Sequence, residues 1–85
     1  MFVLITFRSR NDALAVREIL ANFGLALSVI DSPRQLSASC SLAIKIRGLT
    51  GQKVRNIIMA KSIENHILGV YEVYEEGRTK RYVRV

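Results

Sequence analysis

The run Phe2-Val-Leu-Ile-Thr-Phe7 is apolar or β-branched at every position. Side chains of a strand point alternately to opposite faces, so such a run must be covered on both sides. It predicts a central strand, and every other segment has to be arranged to bury it. Ser9-Arg-Asn-Asp12 follows with the spacing of a helix capping box. Ala13, Val16, Leu20 and Phe23 recur at helical intervals, Leu14 and Ile19 widen the stripe, and Gly24 supplies a left-handed stop. Leu25 to Ile30 alternates as a second strand, ended by Asp31-Ser-Pro-Arg34. Leu42, Ile44 and Ile46 alternate with Ala43, Lys45 and Arg47 as a third, half-buried strand whose outer side is basic. Gly48 to Gly51 reads as a turn, and Gln52 to about Asn65 as a helix through Val54, Ile57 and Ile58. Ile63 and Ile67 fall off that stripe. Val70 to Tyr74 is a fourth strand, Glu75 to Arg78 a hairpin turn, and Thr79 to Val85 a short fifth strand or ordered tail.

Strand, helix, strand, strand, helix, strand is the order of the α+β, ferredoxin-like βαββαβ sandwich, an antiparallel sheet with two helices on one face. The expected division is a domain over residues 1–78 with a C-terminal extension over 79–85. Right-handed crossover leaves a place for the third strand beside the first. Arg8, Ser9, Asp31, Pro33, Arg34 and Cys40 are then expected to converge at one end of the sheet. Two helices cover one face only, so the apolar residues on the other side of the first strand call for the tail or a second copy of the chain as cover.

Length and charge narrow the function classes. Eighty-five residues make one domain, of a size that buries about 60% of its unfolded surface. The apolar start has no basic flank or cleavage site and is shorter than the ~20 residues that span a bilayer. With one cysteine as well, the expectation is a cytoplasmic protein without a membrane partner. The net charge of +6 invites an anionic partner. Its thirteen cations are spread along the chain, however, and the third strand carries no aromatic residue for base stacking, which weighs against nucleic acid. One cysteine and one histidine fall short of a structural zinc site, and no glycine-rich phosphate loop is present.

The chemistry concentrates in Ser32-Pro-Arg-Gln-Leu-Ser-Ala-Ser-Cys-Ser41, which holds the chain's only proline and only cysteine. A single thiol has no intramolecular disulfide partner and serves packing, reactivity or an intermolecular bond. A helix N-terminus and arginines lower a thiol's pKa from about 8.5. A two-unit drop raises the thiolate fraction at pH 7 from about 3% to about 75%, while reduced nucleophilicity returns roughly tenfold of the gain. Such an environment suits holding an anionic sulfur more than fast turnover. A hydrolase would also need a positioned base, and His66, near the end of the second helix, is the one histidine. The expectation is therefore a protein that is not an enzyme by itself. Cys40 is its reactive group, with Arg8, Ser9, Arg34, Ser37 and Ser39 supporting an anion.

Thr6-Phe-Arg-Ser9, Asp12-Ala-Leu14 and Pro33-Arg-Gln-Leu-Ser-Ala-Ser-Cys40 before an apolar strand resemble the putative selenium/sulfur carrier protein-like family over roughly residues 2 to 74. The resemblance implies a cysteine that carries sulfur or selenium as a persulfide or selenyl-sulfide. That role falls on Cys40, with no cofactor beyond the carried atom, and donor and acceptor proteins as partners. The family pattern places glycine after the cysteine, where this chain has Ser41. Two other readings stay open: a small non-enzymatic domain for an anionic metabolite or protein partner, in which Cys40 is incidental, and a homo-oligomer built on the first strand.

Overall fold

Every side chain of the first strand, β1 (Phe2–Phe7), is buried, as its composition demands. The computed structural model describes residues 1–36 and 41–85. The elements that follow β1 are α1 (Arg10–Ala21), β2 (Ala26–Asp31), β3 (Leu42–Arg47), α2 (Gly51–Ala60), β4 (Ile67–Glu76) and β5 (Thr79–Arg84). The five strands form one antiparallel sheet in the order β2-β3-β1-β4-β5, so β1 is central. β1 sets Val3 against Ile46 and Ile5 against Ile44 on one side, and Phe2 against Val73 and Leu4 against Tyr71 on the other.

Alternation along β1 divides the core in two. Val3, Ile5 and Phe7 join Ile44, Ile46 and Val70 beneath Ala13, Val16 and Leu20 of α1 and Val54 and Ile58 of α2. Phe2, Leu4, Ala43 and Val73 form a second buried cluster on the opposite face, where Ile30, Leu36 and Tyr82 pack against them. Thr6, also on that side, is fully buried, and its hydroxyl donates to the Gly69 carbonyl at 3.4 Å. The tail thus contributes both a fifth strand and, through Tyr82, part of the cover that the apolar β1 requires.

Local signals fix the helix starts. The Ser9 hydroxyl accepts the Asp12 amide at 3.1 Å and the Thr50 hydroxyl the Lys53 amide at 3.2 Å, each satisfying a donor that the first helical turn leaves open. Gly51, expected in the turn, is the first residue of α2. That helix stops at Ala60, short of the expected Asn65, because Ser62 takes a left-handed φ of 55°. The chain then makes a single 3-10 turn, Glu64–His66, before entering β4. Ile63 and Ile67 are both buried, reached after this reversal and not along the α2 stripe.

Candidate functional site

The exits of β1 and β2 and the entries of β3 and β4 share one end of the sheet. Thr6 is paired with Ala43 and Gly69, Phe7 with Ile67, and Asp31 with Leu42. The β2–β3 pairing continues one step further, where the Ser32 amide donates to the Ser41 carbonyl at 2.7 Å and closes the neck of the connecting segment. Cys40, Ser37 and Ser39 lie outside the described residues. Ser32 and Ser41 are described, and Cys40 directly precedes Ser41 in the chain. The Ser32 hydroxyl is buried and has no hydrogen-bond partner among the described residues. A buried hydroxyl in that condition is costly unless something meets it.

The expected supporting residues are distributed around this neck in different ways. Arg8, at the exit of β1, turns toward the β4 side: its Nη1 donates to the Asn65 carbonyl at 3.0 Å and lies 3.5 Å from that of Ile67. Ser9 is occupied as the cap of α1. Arg34 is exposed in the 3-10 turn Arg34–Leu36. Leu36 of that turn packs on the helix-free side of the sheet, so the turn is anchored over that side. The structure therefore brings Ser9, Arg8 and the neck to one end of the sheet and assigns the first two to structural bonds.

His66 reaches the same end and meets Asp12. Its Nδ1 is 2.8 Å from the Asp12 Oδ1. Asp12 stands between Ser9 and His66, so the imidazole faces a carboxylate and not the Ser9 hydroxyl. That order differs from a nucleophile–base arrangement, in which the base contacts the nucleophile. The His66 hydrogen bond, and then the Ser9 hydroxyl, hold the Asp12 carboxyl below its usual range against the opposing effect of burial. The carboxylate also sits in the first turn of α1, where it offsets part of the positive end of the helix. Among the described residues no group of three metal-ligating side chains comes together. Among the described residues no helix is long and apolar enough to cross a membrane.

Sequence reasoning missed two arrangements. The first is the Asp12–His66 pair, whose members are 54 positions apart. The second is a basic group around Phe2: Lys45 Nζ lies 4.3 Å from the ring centroid, Arg47 Cζ 5.8 Å and Lys80 Nζ 5.9 Å. The signal for part of the second was present, since Lys45 and Arg47 alternate with buried Ile44 and Ile46. What it lacked was the register that sets them beside Phe2.

A family model described as "Putative Se/S carrier protein-like" matches residues 2–72 of the 85-residue chain. The matched span runs from β1 into β4 and includes Cys40 and both sides of its neck; β5 lies beyond it. No curated protein and no solved structure matches the chain.

Proposed function

The chain belongs to the putative Se/S carrier protein-like family, and from that premise we propose that Cys40 carries sulfur or selenium as a persulfide or selenyl-sulfide. The observation that carries the reading is the family match across the chain's single cysteine. In the transfer, the Cys40 thiolate attacks the terminal sulfur of a donor protein's persulfide. A new S–S bond forms on Cys40, the donor's S–S bond breaks, and its electron pair leaves on the donor thiolate. No external oxidant is consumed. Delivery to an acceptor is the same exchange in reverse, so the protein is a substrate of its partners and not an enzyme by itself.

The scaffold supports this role. The strand order and the packing of both helices into one core cluster fit the ferredoxin-like reading with an added fifth strand. That arrangement leaves the β2–β3 connection at the end of the sheet, joined to it by the Ser32–Ser41 bond. The Ser32 hydroxyl at the neck, without a partner among the described residues, would be a donor to an anionic sulfur, and the sequence of the same segment adds Arg34, Ser37 and Ser39 as further charge and donors. Arg8 acts at longer range, since Asn65 and Ile67 hold its Nη1. His66, paired with Asp12, is no part of the transfer. A lone exchangeable thiol of this kind suits a reducing compartment such as the cytoplasm.

Intact-mass measurement after incubation with a cysteine desulfurase and free cysteine tests the proposal. The expected result is a gain of about 32 Da per chain, the mass of one added sulfur in persulfidation, removed by reductant and absent in Cys40→Ala. No gain, or a gain that survives Cys40→Ala, overturns it.

A further inference from the structure

We propose that the helix-free face of the sheet is a docking surface for an acidic segment of a partner protein, gripped by Lys45, Arg47 and Lys80 around Phe2. The inference stands whether or not Cys40 carries a chalcogen.

Register places the group. Pairing of Val3 with Ile46 sets Phe2 beside Arg47, and Phe2 is itself paired with Val73, which is paired with Tyr82. Lys45 and Arg47 from β3 and Lys80 from β5 thus reach one ring from two sides, all three within about 6 Å of its centroid. Phe2 is left 3% exposed. The Lys45 ammonium sits over the ring and Lys45 is half-buried, while Arg47 and Lys80 are exposed. Arg84 lies apart from this group, at the edge of β4, its Cζ 5.8 Å from the Tyr71 ring centroid and its Nη2 donating to the Leu68 carbonyl at 3.1 Å.

Acidic residues on the strands are sorted to the other side. Glu72 is paired with Val3, and alternation carries Glu76 and Asp31 to the helix-bearing face as well. Glu75 is the one strand carboxylate on the helix-free face, paired with Lys80. Around Phe2 the strands therefore gather three cations, Lys45, Arg47 and Lys80, against the one acid Glu75. Converging like charges repel, and the ring quadrupole offsets this only in part. A carboxylate-rich partner would relieve it, and complementary charge of this kind sets both encounter rate and orientation.

Other occupants fit less well. A second copy would bring the same positive face against itself, whereas a two-fold interface must be self-complementary. Single-stranded nucleic acid needs open aromatic faces for stacking; here Phe2 is covered by cations, Arg84 lies over Tyr71, and Tyr82 packs against the buried cluster. The face offers charge without a free stacking platform.

The test is binding of a fluorescein-labelled poly-glutamate peptide and of poly-uridylate to the full chain at low salt, with NMR mapping of the contacted residues. Charge reversal at Lys45, Arg47 and Lys80 together should weaken peptide binding at least about tenfold. An equal change in net charge at Arg10, Arg17 and Lys53 on the helices should weaken it less than about threefold. The neutral pair Lys45→Gln/Arg47→Gln provides the same comparison should the triple reversal fail to fold. Shifts should appear at Phe2, Lys45, Arg47 and Lys80. Equal weakening by both triple variants, or shifts spread over the helices, overturns the proposal. Tighter binding of poly-uridylate, lost in Tyr82→Ala, would make the face a nucleic-acid surface instead.

Discussion

The Glu72 carboxylate accepts the Gly51 backbone N–H at 2.7 Å, so a strand side chain holds the first amide of a helix 21 positions earlier in the chain. The first turn of α2 carries no acidic residue of its own, and the N-terminus of a helix favours negative charge. Glu72 supplies it from the sheet. Its second oxygen accepts the Tyr74 hydroxyl at 2.8 Å. The Gly51 amide, and then the Tyr74 hydroxyl, hold the Glu72 carboxyl below its usual range, and the same bond pushes the Tyr74 hydroxyl up.

That shift gives a pH dependence of definite sign. A carboxyl whose folded-state pKa is depressed contributes stability that is fully present above its unfolded value, about 4.3 for glutamate, and is lost as pH falls through the folded value. The difference in melting temperature between wild type and Glu72→Gln should be constant from about pH 6 upward and shrink progressively below about pH 4. Thermal melts across that range measure it. A difference that is flat with pH would remove the charge from the argument and leave only a neutral hydrogen bond. Asp12 is shifted in the same direction, so Asp12→Asn should show the same trend.

Gly51→Ala sets two effects against each other. Alanine is about 1 kcal/mol better than glycine inside a helix, yet a Cβ at Gly51 would lie 2.5 Å from Val85 Cγ2 and 2.9 Å from Glu72 Cγ. Val85 Cγ2 is the tip of a side chain whose backbone is held, the Val85 amide donating to the Val70 carbonyl at 2.9 Å and its carbonyl accepting from Arg55 at 3.0 Å; Glu72 is fixed by the amide it accepts. Overpacking of this kind costs about 1–3 kcal/mol, so the expected outcome is a net loss of stability in urea unfolding. Val85→Ala in the same background, which removes Cγ2 and keeps the backbone bonds, should recover part of it. A stabilised Gly51→Ala would mean that Glu72 moves freely.

How much of this was legible in the sequence depended on the range of the interaction. β1 and α1 were read from neighbours: the apolar run, the Ser9 cap and the Gly24 stop all act within a few residues. The end of α2 was not, because Ser62 adopts a left-handed conformation that serine rarely takes, and the misfit of Ile63 and Ile67 was its only trace. Convergence of Arg8, Ser9 and Asp31 at one end of the sheet followed from topology. The bond that uses Arg8 did not, since the carbonyls of Asn65 and Ile67 become available only after the Glu64–His66 turn. Charge around Phe2 needed two strand registers at once.

Those occupied side chains sharpen what should control Cys40. Arg34 is exposed beside the cysteine segment, whereas Arg8 is held toward β4 and His66 by Asp12. The alkylation midpoint of Cys40 is expected below the 8.5 or so of a free thiol. Arg34→Ala should raise it, Arg8→Ala should raise it less, and His66→Ala should leave both the midpoint and sulfur loading unchanged. Iodoacetamide rates against pH give the midpoints. A wild-type value at or above about 8.5 that none of the three variants moves would end the anion-site reading, and loss of loading in His66→Ala would bring in the base that the geometry assigns elsewhere.

The tail is expected to be part of the core in the thermodynamic sense. Leu4 is fully buried on a face that carries no helix, in the cluster that Tyr82 packs against. Leu4→Ala should therefore cost about 2–5 kcal/mol, as a buried leucine does under helices. Ending the chain at Gly77 removes Tyr82 from that cluster, strips β4 of its outer neighbour and breaks the bond from Arg55 Nη1 to the Val85 carbonyl. The truncated chain then presents Phe2, Leu4 and Val73 beside an unpaired strand edge, the combination that templates association between chains. Sedimentation equilibrium should show mass rising with concentration for the truncated form and more weakly, if at all, for the full chain. A truncated protein that stays monomeric, with no gain in binding of a hydrophobic dye, would show that the strands and the turn at Leu36 bury β1 without β5.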